Sequence, residues 1–218
     1  MYKIILTGAA IITLLSCNNE TQPTVAASDA EKVVATKDSA AAIVYTLDSA
    51  TSTLQWEGYE GLSLGKSEHN GTLKITTGKI STINSIPIGG KFSIAVNSLK
   101  VDDIPASKPG NAKLTKHLLG ADFFDAAKFP EAAFEIKNAV ANDTDSMNIT
   151  GNLTLKGISK SITIPAYVKI SDNIFTATTA KFYINRKDWE MHYRSENSLG
   201  DEMIRNEMGI IINLTAKK

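Results

Sequence analysis

Alternation of apolar and polar residues with a period of two dominates the chain from Ile43 onward, and it leaves few folds open. Met147, Ile149, Gly151, Leu153 and Leu155 alternate with Asn148, Thr150, Asn152, Thr154 and Lys156. The same pattern groups Leu54 with Trp56, Phe92 with Ile94 and Val96, Phe134 with Ile136, and Phe182 with Ile184. It continues through Ile162, Ile164, Ala166, Val168 and Ile170, and closes with Met208, Ile210, Ile212 and Leu214. Runs of this kind form strands with one wet and one dry face. Turn-prone stretches punctuate them: Thr77-Gly78-Lys79, Gly89-Gly90, Asn142-Asp143-Thr144-Asp145, Lys156-Gly157 and Ser171-Asp172-Asn173. Tight turns make neighbouring strands antiparallel, and closing the sheet removes its exposed edges. Met147 to Leu155, and the longer stretch Asn173 to Ile184 read as one strand, would each span roughly 30 Å or more. That height suits an elongated barrel better than a small sandwich. The predicted fold is therefore all-β, an antiparallel up-and-down barrel of about eight strands. One segment departs from the pattern. Leu114, His117 and Leu118 share helical spacing, so a short helix is predicted over Lys113 to Leu119, ahead of Asp122-Phe123-Phe124-Asp125.

The N-terminus reads differently. Met1-Tyr2-Lys3 is a short basic start, Ile4 to Leu15 is uncharged and mostly apolar, and small Ser16 precedes Cys17. This is the layout of an export signal, and the run falls short of the roughly 20 apolar residues a membrane-crossing helix needs. Leu14-Leu15-Ser16-Cys17 resembles the lipobox of bacterial lipoproteins. The resemblance implies that residues 1–16 are a cleaved lipoprotein signal peptide and that Cys17 is the acylated first residue of the mature chain. It also implies that the protein is held to a membrane of the cell envelope, on the periplasmic or surface side. Asn18 to Ala42 is rich in Ala, Thr, Ser, Asp, Glu and Lys and has no aromatic residue. Residues 17–42 are accordingly expected to form a flexible tether, with residues 43–218 as the single folded domain.

Charge and motif content narrow the function. The chain has 23 basic and 23 acidic residues, without the basic stripe a nucleic-acid partner requires. His69, His117 and His192 stand far apart in no metal-ligand spacing. With the sole cysteine assigned to the anchor, neither a metal nor a cofactor is expected. Gly61-Leu62-Ser63-Leu64-Gly65 has the spacing of a nucleophile elbow but does not join a clear strand to a helix. No catalytic residue is assigned. His69 reads as a hairpin residue and His117 as a hydrogen-bonded residue of a lid. Arg186, near Asp188, is read as structural, the competing role being contact with a polar headgroup at the barrel mouth. Trp56, Phe92, Phe134 and Phe182 lie on the dry faces of different strands, so closure brings them inside. Alternation alone does not decide between a solid core and a ligand cavity.

Four blocks carry a wider resemblance. His117-Leu118-Leu119-Gly120-Ala121-Asp122-Phe123-Phe124-Asp125, with Phe129-Pro130 and Phe134 after it, resembles a signature block of the YceI-like family. Gly151-Asn152-Leu153-Thr154-Leu155-Lys156-Gly157 is similar to that family's hairpin. His69-Asn70-Gly71 and Ile184-Asn185-Arg186-Lys187-Asp188-Trp189 fit its flanking motifs. The resemblance covers about Val44 to Ala216. It implies a lipocalin-like barrel, often dimeric, that holds a polyisoprenoid or fatty-acyl lipid in its interior. Trp56, Phe92, Ile94, Phe123 and Phe134 would then line a lipid tunnel together with Ile136, Leu153, Leu155, Phe182 and Ile184. The competing expectation is a filled barrel serving as an anchored scaffold. That reading predicts an exposed apolar patch, for which Phe175 and Tyr183, on the opposite parity to Phe182, are the candidates.

Overall fold

The computed structural model describes residues 24–32, 41–61, 68–195 and 203–218. Residues 1–16, expected to be a signal peptide, and Cys17 lie outside the described residues, as does most of the Gly61–Gly65 loop. In chain order the elements are β1 (Ser28–Asp29), β2 (Ile43–Leu47), β3 (Thr53–Tyr59), β4 (Glu68–Ile83), β5 (Ile86–Val101), α1 (Pro109–Leu118), β6 (Glu131–Ala141), β7 (Ser146–Leu155), β8 (Ile158–Ser171), β9 (Ile174–Thr178), β10 (Phe182–Asn185), a 3-10 turn (Arg186–Trp189) and β11 (Glu207–Lys217).

Consecutive strands from β3 to β9 pair antiparallel, and β11 closes the ring by pairing with β2 and β3 on one side and β9 and β10 on the other. β2 with β3, and β9 with β10, each share one place in the wall, so the ring has the expected eight places. Three hairpins are two-residue loops with positive φ at both positions: Asn84-Ser85, Lys156-Gly157 and Asp172-Asn173. Such loops match the right-handed twist of the flanking strands. The fourth, Asn142–Asp145, is held by Asp143, whose Oδ1 accepts from the amides of Asp145 and Ser146.

Two predicted turns are not turns. Thr77-Gly78-Lys79 lies inside β4 and Gly89-Gly90 inside β5, and the reversal between them is made by Asn84-Ser85. Glycine within a strand also marks a close approach from a neighbour, and that is its role at Gly78, described below. The stretch Asn173 to Ile184 is not one strand either. Pairing breaks between Thr178 and Phe182, which shifts the inward parity from odd residues in β9 to even residues in β10. Phe175 is consequently 0% exposed and stacks 5.9 Å from Tyr45, so it is no surface patch. A one-residue offset is enough to exchange the two faces of a strand.

The break has a structural consequence. β8 pairs with β9 only from Tyr167 to Ser171, which leaves the lower edge of β8 without a partner from β10. Residues 24–29, expected to belong to the tether, fill that slot. Ser28 and Asp29 pair antiparallel with Ser161 and Lys160, and the Val25 amide donates to the Tyr183 carbonyl at 2.7 Å. Val25 and Ala27 pack onto the core. Glu31 then crosses the outside of the wall, where its amide donates to Asn152 Oδ1 at 2.9 Å and its carbonyl accepts from Asn152 Nδ2 at 2.8 Å. Asn152 and Ser161 point outward by parity yet are only 7% and 4% exposed, because this strap covers them. The chain pays ordering entropy here for hydrogen bonds that would otherwise be missing from an open edge.

Asn152→Ala removes both bonds to Glu31 and is expected to lower stability by about 1–3 kcal/mol. In hydrogen exchange the amides of residues 25–31 should lose protection while β4 to β7 keep theirs. Full exchange of those amides in the unmodified protein would show that the strap is not part of the wall.

Candidate ligand cavity

The dry face of the wall encloses one continuous apolar core running from Tyr45 and Phe175 at one pole to Trp189 and Met191 near the other. A smaller cluster of Trp56, Leu99 and Val101 lies beneath α1, with Leu114, Leu118 and Phe124 packed on it. Among the described residues two small spaces stand out inside. The central one, about 80 Å³, is bounded by Leu54, Ile75, Ile80, Phe92, Ile94, Phe134, Ile136, Ile149, Ile164, Ala166, Phe175 and Leu214 among others. The second, also about 80 Å³, lies under α1 and is bounded by Trp56, Tyr59, His69, Leu114, His117, Phe123, Phe124, Arg186 and Met208 among others. On β3 the two are separated by the single step from Leu54 to Trp56, so they lie in sequence along the barrel axis.

Glycines set how the rings sit. A Cβ on Gly78 would fall 2.2 Å from Phe92 Cδ1, its register partner on β5, and one on Gly151 would fall 2.5 Å from Phe134 Cζ. Each ring therefore lies over a bare patch of backbone, against the wall. Side chains at those two positions would force the rings toward the axis.

The pole beneath α1 is held by polar groups that satisfy one another. Arg186 is 3% exposed, and its guanidinium donates to the backbone carbonyls of Arg205 (2.9 Å), Tyr193 (2.8 Å), Ile204 (2.8 Å) and Met191. Burial lowers its pKa to about 10. These bonds pin the connection between β10 and β11, so Arg186 is a structural hub, as its reading in the sequence favoured. Trp189, fully buried, donates Nε1–H to the Leu153 carbonyl at 3.2 Å. Trp56 does the same to the Lys100 carbonyl at 3.1 Å. His117 lies edge-on to Phe123 and Tyr193 and meets Asp122 at 3.1 Å, tying α1 to the loop after it. His69 Nδ1 is 2.8 Å from Asp103, which also accepts from the Asn70 amide at 3.0 Å. Burial pushes Asp103 up, but those bonds outweigh it and hold the carboxyl below its ordinary range. Burial and the Glu57 carboxylate push the Tyr59 hydroxyl well above its usual range. Among the described residues no group of three or more His, Cys, Asp or Glu converges as a metal cluster would. The arrangement is suited to surrounding an apolar molecule.

Of the predicted lining residues, Phe92, Ile94, Phe134 and Ile136 border the central space, and Trp56 and Phe123 border the one under α1. Leu153, Leu155, Phe182 and Ile184 are buried in the packed wall without bordering either. Phe175 and Ala166 border the central space and were missed as lining. Ala166 lies on the correct parity, whereas Phe175 was hidden by the break in its strand.

Comparison with known proteins agrees with this fold. The sequence matches the family model of the YceI-like domain over residues 45–216. Over 103 residues it is 36% identical to Protein YceI of Escherichia coli O17:K52:H18, covering 47% of this chain and 50% of that one. Protein YceI of Salmonella arizonae matches to the same extent, 36% over 103 residues. The aligned stretch thus spans about half the length of these relatives. Among solved structures, BcnA of Burkholderia cenocepacia superposes with a TM-score of 0.62 at 20% identity, over 78% of this chain and 99% of that one. A polyisoprenoid binding domain from Saccharophagus degradans implicated in plant cell wall breakdown superposes with a TM-score of 0.56 at 15% identity, over 79% and 97%. At such identities the likeness is one of fold.

Two measurements follow from the cavity. Gly151→Leu is expected to drive Phe134 off the wall and cost about 1–3 kcal/mol through overpacking, read as a lower urea midpoint. Asp103 adds stability above its unfolded pKa of about 4, and this is lost as pH falls through its depressed folded value. Asp103→Asn should therefore melt at lower temperature than the parent at neutral pH, with the gap closing toward pH 2.

Proposed function

The chain belongs to the YceI-like family, and from that footing we propose that its barrel takes up a long apolar chain of the polyisoprenoid or fatty-acyl class without chemically altering it. The observation that carries the reading is the pair of mostly apolar spaces in line along the barrel axis, the central one walled by Phe92 and Phe134 laid back over glycine. The name of the Saccharophagus degradans domain points the same way. Burial of about twenty methylenes is worth about 16 kcal/mol, against an association cost of about 4–15 kcal/mol. A tail can therefore be held with no polar contact. Each space as it stands holds little more than a few methylenes, whereas pockets that bury whole ligands run to about 300–1,000 Å³. Binding therefore requires the two spaces to merge by rotation of the side chains between them. The small volume also favours a second reading, a filled barrel acting as an anchored scaffold.

Export and acylation at Cys17 complete the proposal. Supporting them are the apolar run and the Leu14-Leu15-Ser16-Cys17 motif. In this reading the protein presents its barrel at the envelope surface of a membrane, close to a source of such lipids.

Native mass spectrometry of the mature full-length protein, followed by solvent extraction, tests both parts. A discrete long-chain lipid should be released, and Ala166→Phe, which fills the central space, should lose it while remaining folded. Phe134→Ala should weaken retention more than it weakens folding. A clean apo mass that stays unchanged after exposure to prenyl lipids and fatty acids would favour the scaffold. Separately, Cys17→Ser should abolish the diacylglyceryl mass increment.

A further inference from the structure

The exposed large hydrophobic side chains of the described residues are not scattered. They are Ile43, Val44, Ile86, Val140, Tyr167 and Ile174, from 36% to 62% exposed. Ile43 and Val44 open β2, Ile86 opens β5 just past the Asn84-Ser85 loop, and Val140 is the penultimate residue of β6. Tyr167 sits opposite Ser146, the first residue of β7, and Ile174 opens β9. Every one of these positions belongs to the pole opposite α1. Together they form a collar around five places of the wall, above the Tyr45–Phe175 ring pair that closes the lumen at that end. A soluble surface carries single exposed hydrophobics at random, whereas a ring of them around one rim marks a contact.

The strap shows which partner the collar faces. β8 runs from the α1 pole toward the collar, and β1 is antiparallel to it. Traced backward from Asp29 to Thr24, the chain therefore heads for the collar. Extending the register of Ser28 and Ser161 places Thr24 beside Pro165, six residues short of Ser171 at the rim, roughly 20 Å. Six residues separate Cys17 from Thr24, so the seven steps between them reach at most about 25 Å. The chain thus leaves the described wall on course for the collar, and the rim lies within that reach.

We propose that the collar rests on the lipid surface that receives the Cys17 acyl group, with α1 facing away and the Tyr45–Phe175 end of the lumen directed into the bilayer. A single weak signal binds a membrane reversibly, and an acyl anchor joined to an apolar rim orients the attached domain as well as holding it. Lys169, Lys217 and Lys218 at this pole are accompanied by Asp48, which bridges Lys217 at 2.6 Å, and by Asp143, Asp145 and Asp172, so contact should not require anionic lipid. The inference rests on the acyl-anchor reading, and is independent of what occupies the lumen.

The test uses the full-length acylated protein in phosphatidylcholine vesicles whose acyl chains are brominated. Tyr167→Trp places a reporter on the collar and Lys116→Trp places one on α1. Both positions are exposed, so folding should be retained, and the buried Trp56 and Trp189 supply a constant background. The added emission at 167 should shift to the blue and be mostly quenched, while that at 116 should be unchanged. Flotation with the vesicles but no quenching at 167 would overturn the docked orientation and leave the anchor standing. Failure to float would overturn docking and anchor together, leaving lipid in the lumen to be judged by its own mass measurement. A blue shift at 167 without vesicles, in a species twice the monomer mass by light scattering, would assign the collar to a second copy of the chain and overturn the proposal.

Discussion

Closure of the sheet through β11 is the contact on which the rest of this protein depends. One eleven-residue strand at the end of the chain pairs with β2 and β3 from its beginning and with β9 and β10 just before it. Without it the sheet would keep two open edges, and the inward aromatic residues would face water. With it, each dry face meets another across the lumen. Such a closure joins residues far apart in sequence, so the loop entropy has to be spent before the pairing is rewarded. Folding of the barrel should therefore be governed by the arrival of its last strand.

The wall is nevertheless imperfect, and its imperfections are where the structure acquires particular properties. The break between β9 and β10 opens a slot beside β8, and the strap occupies it with two paired residues and a side-chain amide clamp. The strap lies outside residues 45–216, the extent of the family match. The strap thereby completes the backbone hydrogen bonding of the wall and sets the direction in which the described N-terminal segment leaves it. At the other end, Arg186 replaces a regular ladder with four bonds to carbonyls. A buried guanidinium is costly to desolvate, and saturation by carbonyl oxygens offsets that cost while holding an irregular loop against the end of the core. The two poles are therefore unlike each other, one braced by polar contacts beneath a helix, the other closed by rings and rimmed by apolar side chains.

Much of this was legible in the chain because strands write a simple code. The alternation through β7 and β8 predicted which side chains point inward, and the Lys156-Gly157 and Asp172-Asn173 loops were marked by residues that tolerate positive φ. Gly78 and Gly90 were misread because glycine signals two things, a turn or a neighbour that comes too close for a Cβ, and only the identity of the facing residue distinguishes them. Phe175 was misassigned because parity was carried across a break that no proline announces. The strap was invisible because an extended segment two residues long has no periodicity of its own. Its partners, Asn152 and Ser161, resemble any outward-facing polar residues until something covers them.

Sequence by itself determined the all-β class, the inward faces of the long strands, the placement of the helix between β5 and β6, and the absence of any recognisable catalytic motif. Those are local properties, set by side-chain period and turn chemistry over a few residues. The tertiary structure alone decided that the apolar interior is divided into two spaces in line, that Phe92 and Phe134 lie back over glycines from other strands, and that exposed hydrophobics gather at a single rim. Each of those depends on strand register and tilt around a closed ring, and register relates residues whose positions along the chain carry no information about one another.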